Sequence, residues 1–202
     1  MYILYHSPFS QHARRVVSLL EAAGIAFQLR HVAMEKSEHV SPEFLAINPN
    51  HQVPVFVDGD VKLFESNAIL RYLCAKHGLK DWYPDDLRTR ATIDQWLDWN
   101  QCQLFPSVRD IVLNKVFLGD KGDVAAIARG EKKMTELAAI LDAGLAGRDF
   151  IAGATPTIAD LSLASNIFQL GFADAAPKAP NIAKWYQRVS GIAGFKKSLP
   201  EK

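Results

Sequence analysis

Apolar positions in the first 80 residues follow two different periods. Residues 1–5 and 27–32 form short apolar or alternating runs, which are typical of strands. Between them, apolar residues recur at helical spacing over 10–23, and Gly24 follows as a stop signal. A strand, a helix and a second strand in this order predict a right-handed crossover between parallel strands.

A hairpin and two further helices follow this unit. Residues 53–57 and 61–64 predict two strands that are joined by a tight turn at Asp58-Gly59. Residues 42–45 predict a short helix before this hairpin, and 66–76 predict a longer one after it, stopped by Gly78. The order βαβ and then αββα predicts a four-stranded mixed sheet with helices on both faces.

Strand signals stop beyond residue 86. We predict one long helix over 87–105, which Pro106 bends rather than ends. Further helices are predicted over the ranges 124–146, 157–170 and 181–190. The second of these starts at Thr157, and Asp160 completes a capping box with it. The expected organisation is a mixed α/β domain over 1–80, a linker over 81–86 and an all-helical domain over 87–202.

Composition narrows the function classes. The chain has 202 residues, of which 49% are hydrophobic and 22% charged, with a net charge of +1, so no field of one sign favours nucleic acid or a membrane. The N-terminal apolar run is too short for a signal sequence or a membrane span. Cys74 and Cys102 lie in separate helical patterns without zinc spacing, and this low cysteine usage indicates a cytoplasmic protein without a metal site.

Ser10 is the first candidate for chemistry because it opens the first predicted helix. As a helix cap it would be structural, but a hydroxyl at a helix N-terminus can also donate to an anion. Lowering the pKa of a thiol by about two units needs roughly 2.7 kcal/mol, and a hydrogen bond to a charged group contributes ~1.5–3 kcal/mol. A covalent role for Ser10 is less favoured, since no nucleophile elbow surrounds it. Ser7 is the alternative hydroxyl.

Two further segments could hold a peptide. Val53-Pro54 is expected to be trans on frequency alone, whereas a cis bond would turn the Val53 main chain outward for strand-like pairing. Gln52 beside it could donate to a carboxylate. At Glu65-Ser66, Ser66 is either a helix cap or a donor to a ligand carboxylate, with Glu65 binding an ammonium. The segments together suit a tripeptide with an amino-acid head group, a thiol and a carboxylate tail.

The ordered motifs resemble those of cytosolic glutathione transferases over nearly the whole chain. The stretch from Ser10 to Val16 is similar to the serine motif of the phi and theta classes, in which arginine follows four residues later. The remaining motifs follow in the family's order: His39-Val40-Ser41-Pro42, Asn48-Pro49, Gln52-Val53-Pro54, Leu63-Phe64-Glu65-Ser66, Trp96-Leu97 and Thr157-Ile158-Ala159-Asp160. His12 and His51 depart from the theta and phi patterns respectively, so the chain lies between the two classes.

The resemblance implies a thioredoxin-like N-terminal domain, an all-helical C-terminal domain and a homodimer. It implies that Ser10 stabilises the thiolate of glutathione, which is a co-substrate rather than a cofactor. The implied binding residues are Gln52 and His39 for the glycyl end, Val53 with a cis Pro54 for the cysteinyl main chain, and Glu65 and Ser66 for the γ-glutamyl end. An electrophile pocket is expected between the domains, with Phe9, Phe105, Arg109 and Val112 as candidate residues.

The leading hypothesis is an enzyme of detoxification that conjugates glutathione to small hydrophobic electrophiles. Reduction of organic hydroperoxides by the same thiolate needs no different residue and is the first alternative. A transferase-like binding module without catalysis is the second, although a pure scaffold has no need of Ser10, Gln52, Glu65 and Ser66.

Overall fold

The computed structural model describes residues 1–200 and contains one mixed four-stranded sheet. The strands are β1 (Tyr2–His6), β2 (Phe27–His31), β3 (Val55–Asp58) and β4 (Val61–Leu63), in the spatial order β2-β1-β3-β4. β1 runs parallel to β2 and antiparallel to β3, and β3 and β4 form the antiparallel hairpin. The predicted mixed sheet is therefore confirmed.

The strand register brings four chain segments to one edge of the sheet. His6 at the end of β1 is level with His31 at the end of β2, and Tyr5 pairs with Val55 at the start of β3. Leu63 at the end of β4 pairs with Phe56. The loops that follow β1, β2 and β4, and the loop that precedes β3, consequently all lie at the same edge.

Three helices complete the α/β layers: α1 (Gln11–Ala22), α2 (Pro42–Leu45) and α3 (Ser66–His77). Val16, Leu19 and Leu20 on α1 are fully buried, as their helical spacing predicts. Gly24 just beyond α1 has φ +65°, a left-handed conformation that glycine adopts without a steric penalty. The chain can therefore leave the helix within two residues and enter β2.

A short C-terminal helix that the sequence pattern did not reveal, α9 (Ala193–Lys197), packs against α1. Gly194 makes this possible, because a Cβ at this position would overlap the main chain of Ser18 and Ala22. The Ser18 hydroxyl also lies 2.8 Å from the hydroxyl of Ser198. Residues 193–198 are thereby attached to the first helix.

The structure forms two compact units, whose residue ranges are not those of the predicted domains. Among the described residues, the first contains 1–79 together with 192–200, and the second contains 80–191. The helical range predicted over 87–202 includes α9, which belongs to the first unit here. The domain boundaries at 80 and 87 stay predictions.

The second unit is entirely helical, as predicted. Its helices are α4 (Leu87–Trp99), α5 (Phe105–Val112), α6 (Val124–Gly144), α7 (Ile158–Gly171) and α8 (Pro180–Gly191). Most side chains of α7 are buried, which makes it the central helix of this unit. Within residues 1–200, no helix is both long and apolar enough to pass through a bilayer.

The long helix that was predicted to bend at Pro106 departs from α-helical geometry before that residue. A π-helical turn spans Asn100–Leu104 between α4 and α5. Pro106 follows directly as the second residue of α5, and the backbone before it is already helical. The amide of the buried Asn100 donates to the Ser162 hydroxyl at 3.0 Å, and its oxygen accepts from Asn166 at 2.8 Å, so side chains of α7 hold the wide turn in place.

The predicted capping box at the start of α7 is present. The main-chain N–H of Thr157 donates to Oδ2 of Asp160 at 2.8 Å. The other carboxylate oxygen of Asp160 accepts from the main chain of Ile151 and from the indole of Trp185, both at 2.8 Å. This buried carboxylate therefore joins α7, α8 and the segment that precedes them.

Candidate active site

The N-termini of α1 and α3 meet at the sheet edge where the four loops gather. α1 begins after the loop from β1, and only Phe64 and Glu65 lie between the end of β4 and the start of α3. Each N-terminus presents amide groups that have no partner within its helix, and each carries the positive end of a helix dipole. Two such ends at one edge suit an anionic ligand.

Ser10 is the N-cap residue of α1, with φ −79° and ψ 113°. Its side-chain oxygen accepts a hydrogen bond from the Ala13 main-chain N–H at 3.2 Å. A hydroxyl has one proton and two acceptor sites, so this bond leaves the proton available for a ligand. Within residues 1–200, Ser10 forms no hydrogen bond to a histidine or a carboxylate, which is unlike an activated serine nucleophile.

Asn48 organises the loop that precedes β3. It is buried, its amide donates to the Gln52 carbonyl at 2.7 Å, and its side-chain oxygen accepts from the Asn50 main chain at 3.0 Å. The Val53-Pro54 bond that follows is cis, as the resemblance implied and against the expectation from frequency. Sequence reasoning gave Asn48 no role, although an asparagine next to a proline is a common turn signal.

The side chains of Gln52 and Val53 face different surroundings. Gln52 is exposed, whereas the Val53 side chain packs with Val32, Phe44 and Val55. The core thus takes the side chain of Val53, and only its main chain could meet a peptide. This division is the one that strand-like pairing with a ligand requires.

Glu65 adopts an unusual conformation at the start of α3, with φ 67° and ψ 103°. A non-glycine residue in such a region costs about 1–3 kcal/mol and is most common at functional sites. Glu65 is the N-cap residue, and its carbonyl accepts from Ile69 at 3.0 Å. Ser66 is instead the first helical residue and is buried, so the interpretation of Ser66 as the helix cap is wrong.

A buried arginine lies behind both helix N-termini. Arg15 on α1 is fully buried and donates to the side-chain oxygen of Asn67 on α3 at 3.2 Å. Burial and the neighbouring Arg14 lower the pKa of Arg15 to about 9, and Glu65 opposes this shift. At neutral pH the guanidinium is still protonated and adds positive charge to this edge. Arg15 lies within the stretch that carries the family resemblance, but the sequence analysis assigned it no function.

The two histidines that flank α2 are brought together. The ring centroids of His39 and His51 lie 6.4 Å apart. The Nδ1 atom of His39 is buried and has no hydrogen-bond partner among residues 1–200. Either ring could contact the tail of a peptide held by the neighbouring Gln52, so the roles of His39 and Gln52 stay predictions.

The four residues predicted for the electrophile lie in different units. Phe9 precedes Ser10 in the first unit, and its side chain is 49% exposed. Phe105, Arg109 and Val112 lie on α5 of the second unit, where Arg109 is exposed and Val112 is 2% exposed within the core. Their shared role stays a prediction.

Comparison with known proteins shows which family the sequence belongs to. The family described as "Glutathione S-transferase, N-terminal domain" matches residues 1–75, and "Glutathione S-transferase, C-terminal domain" matches 124–188. Glutathione S-transferase F10 of Arabidopsis thaliana is 31% identical, over 96% of this chain and 94% of its own. Glutathione S-transferase theta-1 of Mus musculus is 33% identical, over 95% of this chain and 83% of its own.

Solved structures give the same result. A delta-class glutathione transferase of Nilaparvata lugens superposes with a TM-score of 0.90 at 30% identity, covering 98% of this chain and 93% of its own. Glutathione transferase F2 of Populus trichocarpa gives 0.87 at 33% identity, covering 98% and 97%. The chain belongs to the glutathione S-transferase family, and it is an enzyme that transfers glutathione.

Proposed function

We propose that Ser10 holds the sulfur of glutathione as a thiolate, for attack on small hydrophobic electrophiles. The observation that supports this role is the Ser10 hydroxyl, which accepts from the Ala13 amide and keeps its proton for a ligand. Accepting that bond also makes the hydroxyl a better donor. The α1 dipole adds ~0.3–1 kcal/mol of stabilisation for an anion at this end.

The tripeptide would lie across the shared sheet edge. The main chain of Val53 would pair with its cysteinyl residue, and Gln52 and His39 would bind its glycyl carboxylate. Ser66 and the first amides of α3 would bind the γ-glutamyl carboxylate, with Glu65 on the ammonium group. Arg15 would supply positive charge from behind without touching the ligand. Phe9, Phe105, Arg109 and Val112 stay the candidates for contact with the electrophile.

The test compares two serine caps of matched geometry. Ser41 caps α2 and accepts from the Phe44 main chain at 3.2 Å, the same distance as in the Ser10 cap. Ser10→Ala and Ser41→Ala each remove one cap. We expect only Ser10→Ala to raise the apparent pKa of bound glutathione, by about one to two units if the lost bond contributes ~1.5–3 kcal/mol. Turnover of an aryl halide at pH 6.5 should fall in Ser10→Ala, because less of the bound glutathione is then thiolate.

Ser10→Thr supplies the complementary variant, because it retains a hydroxyl at the cap. The ultraviolet absorbance of the thiolate reports how much of the bound glutathione is ionised. We expect Ser10→Thr to keep part of this absorbance near neutral pH. Unchanged turnover and an unchanged pH profile in Ser10→Ala would show that another group holds the thiolate. Parallel assays with cumene hydroperoxide measure the peroxidase alternative with the same enzyme preparations.

We further propose a cytoplasmic homodimer that needs no cofactor beyond the glutathione co-substrate and acts in detoxification. The family resemblance and the low cysteine usage support this proposal. Sedimentation equilibrium at micromolar concentration tests the oligomeric state, and a mass corresponding to one chain would contradict it. Neither a nucleic acid nor a membrane is a proposed partner.

A further inference from the structure

Close packing against α6 determines where α5 lies in the second unit. Gly130 of α6 is buried, and a Cβ built on it would lie 2.9 Å from Cγ1 of Ile111 and 3.0 Å from the carbonyl oxygen of Ser107, both on α5. Carbon atoms in favourable contact are ~3.5–4.0 Å apart, so any other residue at this position would push α5 away. Glycine therefore sets the distance between the two helices.

The neighbours of Gly130 bind the chain on both sides of this contact. Arg129 forms an ion pair with Asp110 on α5 at 2.9 Å, and Glu131 accepts a hydrogen bond from Lys115, beyond the end of α5, at 2.7 Å. Pairs as exposed as these contribute little to stability. Because they lie on either side of the close contact, they limit the rotation of α5 about its own axis.

A second contact fixes the end of α5. The π-helical turn Leu113–Phe117 follows α5 directly, and wide turns of this kind are often found at functional sites. Asn114 in this turn is buried. Its amide donates to the Asp110 carbonyl at 2.8 Å, and its side-chain oxygen accepts from the main chain of Asp123, the N-cap residue of α6, at 2.9 Å. Asn114 consequently joins the end of α5 to the start of α6.

The opposite face of α5 carries those candidate electrophile residues that solvent can reach. Arg109 is exposed and Phe105 is partly buried, whereas Ile111 and Val112 lie in the core. A short helix moves as a rigid body, so a shift at its buried face displaces Phe105 and Arg109 by the same amount. Misplacement of a reacting group by ~1 Å can lower a rate about 100-fold.

We propose that Gly130 and Asn114 are positioning residues for the electrophile, which determine selectivity by fixing the distance and the rotation of α5. This inference rests on the proposed function, because it requires that Phe105 and Arg109 contact the electrophile. Both positioning residues are buried and act only through α5. Their substitution should therefore change the relative rates for electrophiles of different length and leave the KM for glutathione almost unchanged.

The first test adds one methyl group at the close contact. The value of kcat/KM is measured in the full chain for chlorodinitrobenzene and for the longer nitrophenethyl bromide. Gly130→Ala should push the exposed face of α5 outward and lower kcat/KM for the longer electrophile at least about threefold relative to the shorter one. Alanine also raises helix propensity, which offsets part of the steric cost. Gly171→Ala is the matched control, because a Cβ on this glycine of α7 meets no atom within 4 Å.

The second test separates positioning from stability. Asn114→Ala removes both hydrogen bonds and should shift the same ratio of kcat/KM values, whereas Asn114→Asp keeps the acceptor for Asp123 and should recover part of the shift. Asn181→Ala is the control, because the Asn181 amide donates to Asp142 at 3.0 Å and joins α8 to α6. It should lower the unfolding midpoint without changing selectivity. Equal shifts of the ratio in the control variants would reduce the effect to stability and overturn the proposal.

Arg109→Leu shows whether a failure lies in the positioning role or in the function on which it rests. An unchanged ratio in folded Gly130→Ala and Asn114→Ala, with a changed ratio in Arg109→Leu, would overturn the positioning role alone. An unchanged ratio in Arg109→Leu as well would show that α5 does not contact the electrophile, and both would fail. The role of Ser10 is read from the pH profile and does not enter these ratios.

Discussion

Arg15 on the second turn of α1 and Asn67 on the first turn of α3 are joined by a hydrogen bond of 3.2 Å between two buried side chains. The bond fixes the spacing of the two helix N-termini that form the candidate glutathione site. It also satisfies part of a guanidinium that is buried away from water, where a lost partner is costly. One contact thus connects the stability of the first unit with the geometry of its site.

Removing the acceptor should affect both properties. We expect Asn67→Ala to lower the free energy of unfolding by about 1–3 kcal/mol, because Arg15 loses a buried partner, and to raise the KM for glutathione. Urea unfolding and initial rates measure the two effects. Asn67→Asp keeps an acceptor and should recover most of the stability. Equal losses in both variants would mean that packing, and not the hydrogen bond, is responsible.

Glu65 should contribute to binding rather than to folding. Glu65→Gln keeps the side-chain size but removes the charge proposed to hold the ligand ammonium. The KM for glutathione should rise about tenfold, which corresponds to ~1.4 kcal/mol, with little change in the unfolding midpoint. Glu43→Gln, at an exposed acid of the same unit, serves as the control. If the two variants have the same KM, Glu65 does not bind the ammonium.

His12 predicts a pH-dependent loss of stability. Desolvation, and then the nearby Arg15, lower the pKa of His12 well below its ordinary value of 6.5. Below that value the unfolded chain binds a proton that the folded chain resists, so stability falls as the pH drops. The slope for one proton is about 1.4 kcal/mol per pH unit.

The corresponding measurement is urea unfolding at several pH values between 7.5 and 5. His12→Gln should flatten the decline below pH 6.5. Burial, and then His31, also lower the pKa of His6, so a smaller slope should remain in the His12 variant. If the free energy of unfolding falls equally with pH in the wild type and in His12→Gln, His12 does not cause the decline.

Trp185 and Asp160 form the corresponding buried pair of the second unit. The indole N–H donates to Oδ1 of Asp160 at 2.8 Å, and both residues are fully buried. Trp185→Phe should lower the free energy of unfolding by about 2–4 kcal/mol, since it removes a donor to a buried charge and leaves a cavity. Thermal unfolding measures this loss, and Tyr186→Phe, at the neighbouring and less buried position, should cost much less in the same experiment.

The two cysteines should differ in reactivity. Cys74 is buried, and burial raises the pKa of its thiol to about 12, whereas Cys102 is exposed. A thiolate-specific reagent at pH 8 should therefore label one cysteine rapidly in the native chain and two after denaturation. Cys102→Ser should abolish the rapid phase. Rapid labelling that persists in this variant would show that the helix carrying Cys74 opens readily.

Sequence periodicity predicted those elements whose signals are local. Each of these signals depends on a few neighbouring residues: the strand and helix periods, the stop at Gly24 and the cap at Ser10. The structure confirms all of them. The ordered motifs then predicted the family, and the comparisons confirm it. For these features, local preference and tertiary packing favour the same conformation.

The features that the sequence did not reveal depend on contacts between distant segments. The π-helical turn at Asn100–Leu104 is held by side chains of α7, more than 60 residues away in the chain. The left-handed conformation of Glu65 conflicts with the local preference of a glutamate. The role of Arg15 required knowledge that Asn67 lies beside it. No periodicity reports such pairings.

The attachment of α9 to α1 has a consequence for biosynthesis. Because Gly194 and Ser198 complete the unit that begins at residue 1, that unit is discontinuous in the chain, and residues 80–191 interrupt it. On a translating ribosome, the interrupting helices can leave the exit tunnel and fold first. The thioredoxin-like unit is complete only after residues 192–198 have been synthesised, because α9 is a packing partner of its first helix.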